Sequence, residues 1–176
     1  QSATLIATNR QYVKKVIFPL ESLPWVLVLS ALFHLAVSTA VLLIYVFVLQ
    51  RHLPWTTLFL PIIFAPLALM MLASAWLISA TTVFVRDVSQ IIELMTMLLL
   101  FLSPVFFPIS MLPDALQPFI YLNPITFIIE QVRDVVLFGQ FPDFFGLGIY
   151  LCVAFVACWL SLSWFRRLRY GFPDVI

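Results

Sequence analysis

Four long apolar segments fill most of this chain of 176 residues, and almost every charged residue lies between them. Within these segments only His34 and Glu93 can readily carry a charge. A helix needs about 20 apolar residues to cross a hydrocarbon core of roughly 30 Å. A charged side chain at the centre of such a helix costs on the order of 2.5–3.5 kcal/mol. We therefore predict an all-α integral membrane protein with four transmembrane helices. The predicted spans are residues 23–49, 56–85, 91–112 and 144–165.

Composition supports the same class and excludes others. Hydrophobic residues make up 64% of the chain and charged residues only 10%, against about 25% charged in a soluble domain. The net charge is +1 and no basic stripe is present, so nucleic-acid binding is not expected. Cys152 and Cys158 lie six apart on different faces of the last span, and we interpret them as small packing residues.

The basic residues predict the orientation, because Lys and Arg concentrate on the cytoplasmic side of membrane proteins. With both termini cytoplasmic, seven of the nine basic residues lie inside and two lie outside. An even number of spans also places both ends on one side. The inside set is Arg10, Lys14, Lys15, Arg86, Arg166, Arg167 and Arg169, and the outside pair is Arg51 and Arg133.

The first 22 residues precede the first span and read as the middle of a longer protein. Asn9 is a candidate N-cap for a short amphipathic helix that Pro19 would end. Such a helix can lie on the membrane surface or dock against a cytoplasmic partner, and a basic juxtamembrane anchor is the alternative. At the other end, residues 166–176 form a cytoplasmic tail.

Residues 103–138 do not follow the pattern of a simple span. Pro104 and Pro108 interrupt the third apolar segment, and Asn123-Pro124 then gives an N-cap with proline at the first helical position. The following helix, 126–138, is predicted to end at Gly139, which is the C-cap candidate. It is only about 20 Å long and carries three charged residues. We predict a re-entrant or interfacial segment on the outer side that borders a pathway, because irregular backbone at membrane depth must be surrounded by protein or a water-filled cavity.

The sequence offers little for catalysis. None of its four glycines forms a G-x-x-x-x-G-K-[ST] phosphate loop, and no His, Cys and carboxylate cluster has metal-ligand spacing. We interpret His34 as a packing histidine, with a proton relay as the alternative. We interpret Glu93 as a residue with a structural or coupling role, and a buried transport carboxylate is the alternative. Glu130 and Arg133, three residues apart on a helix, predict a local ion pair, with a role in gating as the alternative.

Aromatic residues are abundant, at 16% of the chain, and many cluster around residues 101–145. An interfacial aromatic belt is one interpretation. The other is a lining that stacks against sugar rings and gives low-specificity contact to a sliding polymer. Composition does not distinguish the two. The candidate substrate-lining residues are Phe106, Phe107, Tyr121 and Phe127.

Five segments carry a recognisable pattern: residues 9–25 (NRQYVKKVIFPLESLPW), 84–93 (FVRDVSQIIE), 102–113 (LSPVFFPISMLP), 122–130 (LNPITFIIE) with Arg133-Asp134, and 170–176 (YGFPDVI). In sequence and in order they resemble the membrane subunit of bacterial ABC-2 type exporters for polysaccharides such as O-antigen, capsule or teichoic acid. Family members have six spans preceded by an interface helix, so this sequence is expected to lack that helix and the first two spans.

The resemblance implies a permease that moves a lipid-linked glycan across the bacterial inner membrane. Two copies would form a channel, and each would bind a separate subunit that carries ATP and magnesium, so the permease itself would need no cofactor. The segment 103–138 would form the external gate. The implied gate residues are Ser103, Pro104, Pro108, Glu130 and Arg133. The implied ATPase-coupling residues are Tyr12, Lys14, Lys15, Phe18, Arg86 and Asp87.

Two other functions remain as alternatives. A secondary transporter would normally show polar residues at the membrane midplane and internal repeats, and only His34 resembles such a residue. A membrane enzyme acting on polyprenyl-linked sugars would need several carboxylates or histidines facing one aqueous pocket. The eight acidic residues are instead scattered among the loops.

Overall fold

The computed structural model describes residues 20–85, 87–104, 120 and 123–169. Every regular element within these ranges is helical, which confirms the all-α prediction. Short 3-10 helices at Leu20–Ser22 and Trp55–Phe59 precede the first two long helices, and a π-helical turn occupies Asp134–Phe138. The α-helices, numbered in chain order, are α1 (Leu23–Gln50), α2 (Leu60–Phe84), α3 (Val88–Phe101), α4 (Pro124–Arg133) and α5 (Phe144–Arg169).

Three of the described helical segments are long and apolar enough to cross a membrane. They are α1 with 28 residues, the segment Trp55–Phe84 with 30, and α5 with 26. At 1.5 Å per residue each is about 39–45 Å long, more than the roughly 30 Å of a hydrocarbon core. The chain is therefore a membrane-embedded protein, and these three helices occupy the positions of the predicted first, second and fourth spans.

The third predicted span is different. Helix α3 has 14 residues, or about 21 Å, and it ends at Phe101 just before Ser103 and Pro104. None of its residues is buried. The rest of the predicted span, from 105 to 112, lies outside the described residues. The count of four spans therefore stays a prediction.

Helix α2 is the central element, because its two halves pack into two separate hydrophobic clusters. The first cluster joins α1, α2 and α5 around Leu72, Trp76 and Phe165. The second joins α1, α2 and α5 to α4 and the π-helical turn, around Ile63, Ile128 and Val135. We call the two ends of the molecule the Glu21 end and the Arg133 end after residues described below.

Polar contacts at the Glu21 end tie the first long helix to the last. The indole Nε1–H of Trp76 donates to the backbone carbonyl of Glu21 over 3.1 Å. The Glu21 carboxylate lies 3.1 Å from Arg169 and 3.4 Å from Arg166. Trp25 meets Trp76 edge to face, with ring centroids 6.0 Å apart. The beginning of α1 is thus fixed to the middle of α2 and to the end of α5.

Candidate functional site

The candidate site lies at the Arg133 end, where α4 packs between the end of α3 and the beginnings of α2 and α5. Asn123 caps α4: its side-chain oxygen accepts from the backbone N–H of Ile125 over 3.0 Å, and Pro124 follows in the first turn. This confirms the helix start predicted at Asn123-Pro124. The helix therefore begins two residues before the apolar helical pattern of residues 126–138. The local signal was sufficient, because cap and proline act within one turn.

The same Asn123 side chain also fixes the depth at which α4 begins. Its amide Nδ2–H donates to the backbone carbonyl of Leu99 over 3.0 Å. Leu99 lies eleven residues into α3, about 17 Å along that helix from Val88. Helix α4 therefore starts beside the last turn of α3 and runs away from the Glu21 end.

The other end of this segment lies beside the turn between α1 and α2. The chain leaves α4 through the π-helical turn and reaches Gly139, which has a φ of 64° and terminates the helix. The position of a Gly139 side chain would be 3.4 Å from Pro54. The hydroxyl of Thr56 donates to the carbonyl of Val135 over 2.6 Å. The predicted C-cap at Gly139 is confirmed, whereas no sequence pattern pointed to the π turn or to Thr56.

Arg133 forms a short polar contact with the segment that follows α3. Its guanidinium Nη2 donates to the backbone carbonyl of Pro104 over 2.6 Å, and both residues are at least partly buried. Pro104 lies three residues after the last residue of α3, so this hydrogen bond joins the segment that follows α3 to the end of α4. Hydrogen bonds with a charged donor contribute roughly 1.5–3 kcal/mol. Two of the predicted gate residues are thus in direct contact.

The predicted ion pair between Glu130 and Arg133 is wrong. The ion pairs among the described residues join Glu21 to Arg166 and Arg169 only. The guanidinium of Arg133 is instead turned toward Pro104, which an i, i+3 rule cannot anticipate because the acceptor is a carbonyl 29 residues away. Burial raises the pKa of Glu130, the nearby Asp134 raises it further, and Arg133 opposes the shift.

Two buried hydroxyl groups lie on the elements that meet here. Ser103 is 2% exposed and Thr126 is fully buried, and the hydroxyl oxygen of each has no hydrogen-bond partner in the described part of the chain. A buried hydroxyl without a partner is costly, and in native proteins water often satisfies it. Ser103 is a predicted gate residue, and Thr126 was not singled out from the sequence.

The connection from α4 to α5 depends on two polar side chains that sequence reasoning missed. Gln131 accepts a hydrogen bond from the backbone N–H of Asp143 over 2.7 Å. The Asp143 carboxylate accepts from the backbone N–H groups of Phe145 and Gly146, at 3.1 and 3.0 Å, and so caps α5. An Asp directly before an apolar helical run is a recognisable N-cap signal.

Phe127 is the one predicted substrate-lining residue within the described ranges. It is half-buried, packs against the second hydrophobic cluster, and stacks on Tyr150 of α5 with ring centroids 6.0 Å apart. The structure therefore gives it a packing role between α4 and α5. Phe106, Phe107 and Tyr121 lie outside the described residues, as does the gate residue Pro108.

Of the predicted coupling residues, the structure describes only Asp87, at the Glu21 end. It occupies the N-cap position of α3, is exposed, and makes no side-chain capping hydrogen bond. The remaining coupling residues lie outside the described ranges: Tyr12, Lys14, Lys15, Phe18 and Arg86.

The structure tests the packing roles predicted for His34 and for the two cysteines. His34 is exposed on α1 and touches Phe33 edge to face, so it does not pack inside this chain as predicted. Cys152 is exposed as well, whereas Cys158 packs against the first hydrophobic cluster. Glu93 is exposed on α3. The packing interpretation therefore holds for Cys158 but not for His34 or Cys152.

Comparison with known proteins gives one family match and several relatives. Residues 1–137 match the family of ABC-2 type transporters. An O-antigen export system permease protein RfbA of Klebsiella pneumoniae is 24% identical over 96% of this chain and 65% of its own length. The RfbA protein of Myxococcus xanthus, of the same description, is 25% identical over 99% of this chain and 68% of its own length. The chain thus spans about two thirds of the length of these relatives.

Proposed function

The chain belongs to the ABC-2 type transporter family, and from that premise we propose that it is the permease subunit of an ATP-driven exporter. Its cargo is a lipid-linked polysaccharide, O-antigen or a similar cell-surface glycan. The observation that carries this proposal is its similarity to O-antigen export permeases along nearly the whole chain. The membrane is the bacterial inner membrane, with both termini of this chain cytoplasmic, as the excess of basic residues on that side supports.

In this proposal the permease binds the lipid-linked glycan and provides its path across the membrane, while a separate subunit hydrolyses ATP. The sequence contains no phosphate loop of the G-x-x-x-x-G-K-[ST] type, which supports placing ATP and magnesium on a partner. Two copies of the permease form the channel. Binding of ATP to the partner can shift the channel between states only if the partner binds those states with different affinity.

The gate is proposed at the contact of α3 with α4. The hydrogen bond from Arg133 to Pro104 and that from Asn123 to Leu99 join the end of α3 and the residues after it to both ends of α4. Ionisable side chains among membrane helices are costly and commonly mark a transport path. Separation of α4 from the end of α3 would expose Arg133 and the hydroxyl groups of Ser103 and Thr126 to that path.

Coupling to the ATPase is proposed at the opposite end. Asp87 begins α3 with its carboxylate exposed, so a movement of the turn before α3 is transmitted along the helix toward Pro104. The segment 9–18, outside the described residues, is proposed as the second coupling element with Tyr12, Lys14 and Lys15.

Transport by the full-length permease in proteoliposomes tests the function. With its ATPase partner and fluorescent lipid-linked glycan, glycan should reach the opposite face only when hydrolysable ATP is supplied. ATP-independent transport driven by an ion gradient would contradict the proposal and favour a secondary transporter. Conversion of the glycan without translocation would favour an enzyme.

Charge substitutions at the turn before α3 test the coupling. Asp87→Lys should abolish export while the permease still accumulates in the membrane and binds glycan. The matched control is Asp87→Glu, which keeps the negative charge at the same exposed position and should export at the wild-type rate. If Asp87→Lys exports at the wild-type rate, the coupling assignment is wrong, although the export function itself would stand.

A further inference from the structure

An open groove lies between α2 and α5 near the Glu21 end, on a surface that the proposed gate and coupling elements do not use. Its volume is about 590 Å³. Helix α2 contributes Leu77, and α5 contributes the rest of the lining. The α5 residues are Ala157, Trp159, Leu160, Ser161, Ser163, Trp164 and Arg167.

The lining changes from apolar to basic along α5. Ala157, Leu160, Trp164 and Arg167 follow one another at helical spacing on one face, over about 15 Å. The hydroxyl of Ser163 is already occupied, because it donates to the carbonyl of Trp159 over 2.8 Å. The inner part of the groove thus offers hydrocarbon contact, and its end offers a guanidinium beside an exposed indole. Indole rings prefer this boundary between hydrocarbon and headgroups.

Arg167 is the basic residue at this end whose charge the described part of the chain does not balance. Arg166 and Arg169 both lie within ion-pair distance of Glu21. Arg167 is exposed, and no ion pair joins it to an acidic side chain among the described residues. Arg166 and Arg169 thus share the Glu21 carboxylate, and Arg167 adds a further positive charge that no ion pair among the described residues balances. The excess positive charge is complementary to an anionic headgroup.

We propose that this groove is a binding site for an anionic phospholipid of the surrounding membrane. Its phosphate binds the guanidinium of Arg167, and one acyl chain lies along Leu77, Ala157 and Leu160. Basic pockets between transmembrane helices on the cytoplasmic side are known to suit such headgroups. This lipid is distinct from the exported cargo and is a permanent neighbour of the permease. It holds the end of α5, and through Arg166 and Arg169 the Glu21 contact, at the level of the headgroups.

Fluorescence quenching by brominated lipids tests the site in the full-length permease. Two bilayers are compared, each with about one tenth brominated lipid: brominated phosphatidylglycerol in phosphatidylcholine, and brominated phosphatidylcholine in phosphatidylglycerol. The fluorescence of Trp159 and Trp164 should be quenched more in the first bilayer than in the second. The Trp159→Phe, Trp164→Phe double variant gives the background from the other indoles. We expect about a fivefold local preference for the anionic lipid, which corresponds to roughly 1 kcal/mol for one basic residue at the membrane surface.

Three variants separate a specific site from general attraction. Arg167→Gln should bring the preference close to one, Arg167→Lys should retain most of it, and Arg51→Gln, at the Arg133 end, should leave it unchanged. Equal quenching by the two lipids in the wild type, or equal effects of Arg167→Gln and Arg51→Gln, would overturn the proposal. Weak quenching by both lipids would also overturn it, because a second protein copy would then cover the groove. Displacement of brominated phosphatidylglycerol by stoichiometric lipid-linked glycan would show that the cargo is the occupant instead.

Discussion

The guanidinium of Arg133 donates a hydrogen bond to the carbonyl of Pro104 over 2.6 Å, and this contact joins the end of α4 to the short segment that follows α3. Arg133→Gln should lower the free energy of unfolding in micelles by about 1.5–3 kcal/mol, because a charge-assisted bond is lost and the carbonyl is left unpaired. Arg51→Gln, an exposed arginine at the same end, should change it by less than about 0.5 kcal/mol. Equal losses would show that the Pro104 contact contributes nothing specific.

Asn123 combines two functions that substitution can separate. Asn123→Ser keeps a side-chain oxygen for the cap on Ile125 but loses the donor to Leu99, whereas Asn123→Ala loses both. We expect Asn123→Ala to be less stable than Asn123→Ser by about 1 kcal/mol, the usual value of an N-cap. Denaturant unfolding followed by circular dichroism measures the difference. Identical midpoints for the two variants would contradict the role of the cap.

The two glycines at the start of α5 should respond oppositely to alanine. A methyl group at Gly146 would lie 2.6 Å from the Asp143 carboxylate and 2.7 Å from the ring of Phe127, so either the cap or the aromatic stack must shift. We expect Gly146→Ala to destabilise by about 1–3 kcal/mol. Nothing lies within 4 Å of the corresponding position at Gly148. Gly148→Ala should therefore be neutral or stabilise by up to about 1 kcal/mol through helix propensity. A stable Gly146→Ala variant would show that Phe127 is free to move from Tyr150.

Glu130 should make the stability depend on pH. Burial and Asp134 raise the pKa of its carboxyl above the ordinary 4.5, so the folded state binds its proton more tightly than the unfolded state does. The ionised form therefore costs stability once the pH rises above the unfolded value, and the cost is complete above the folded value. Glu130→Gln should raise the melting temperature at pH 7 and leave it nearly unchanged at pH 4. An equal shift at both pH values would indicate a packing effect and not ionisation.

The ion pairs of Glu21 should differ in strength. Arg169 lies closer to the carboxylate than Arg166 does, at 3.1 against 3.4 Å, and its side chain is less exposed, at 40% against 60%. Double-mutant cycles with Gln at each position should give a larger coupling energy for Glu21 with Arg169, although both should stay within about 1 kcal/mol as is usual for exposed pairs. A reversed order would show that the Arg166 contact is the persistent one.

Sequence reasoning predicted the features that depend on neighbours along the chain. Length and apolarity predicted the long helices, and Asn123, Pro124 and Gly139 predicted the two ends of the segment between α3 and α5, because caps act within one turn. It failed where the partner is distant. The contact of Arg133 with Pro104 and that of Thr56 with Val135, 79 residues apart, depend on how helices pack.

The exposed helix surfaces show a further limit. His34 was interpreted as a packing residue from its apolar neighbours, yet it lies on an exposed face of α1. In lipid, apolar residues occur on inward and outward faces alike, so composition does not indicate which face of a helix is buried. The roles of His34 and Glu93 cannot be inferred from the pattern for the same reason.

Helix α3 buries none of its fourteen residues, so the described chain holds it mainly near its two ends. At one end is the short turn from α2 at Val85, and at the other are the hydrogen bonds that Leu99 and Pro104 accept. A helix held mainly at its ends can move along its own axis without disrupting a packed hydrophobic core. The stiffness of the helix, more than its side chains, would then pass a displacement from Asp87 to Pro104.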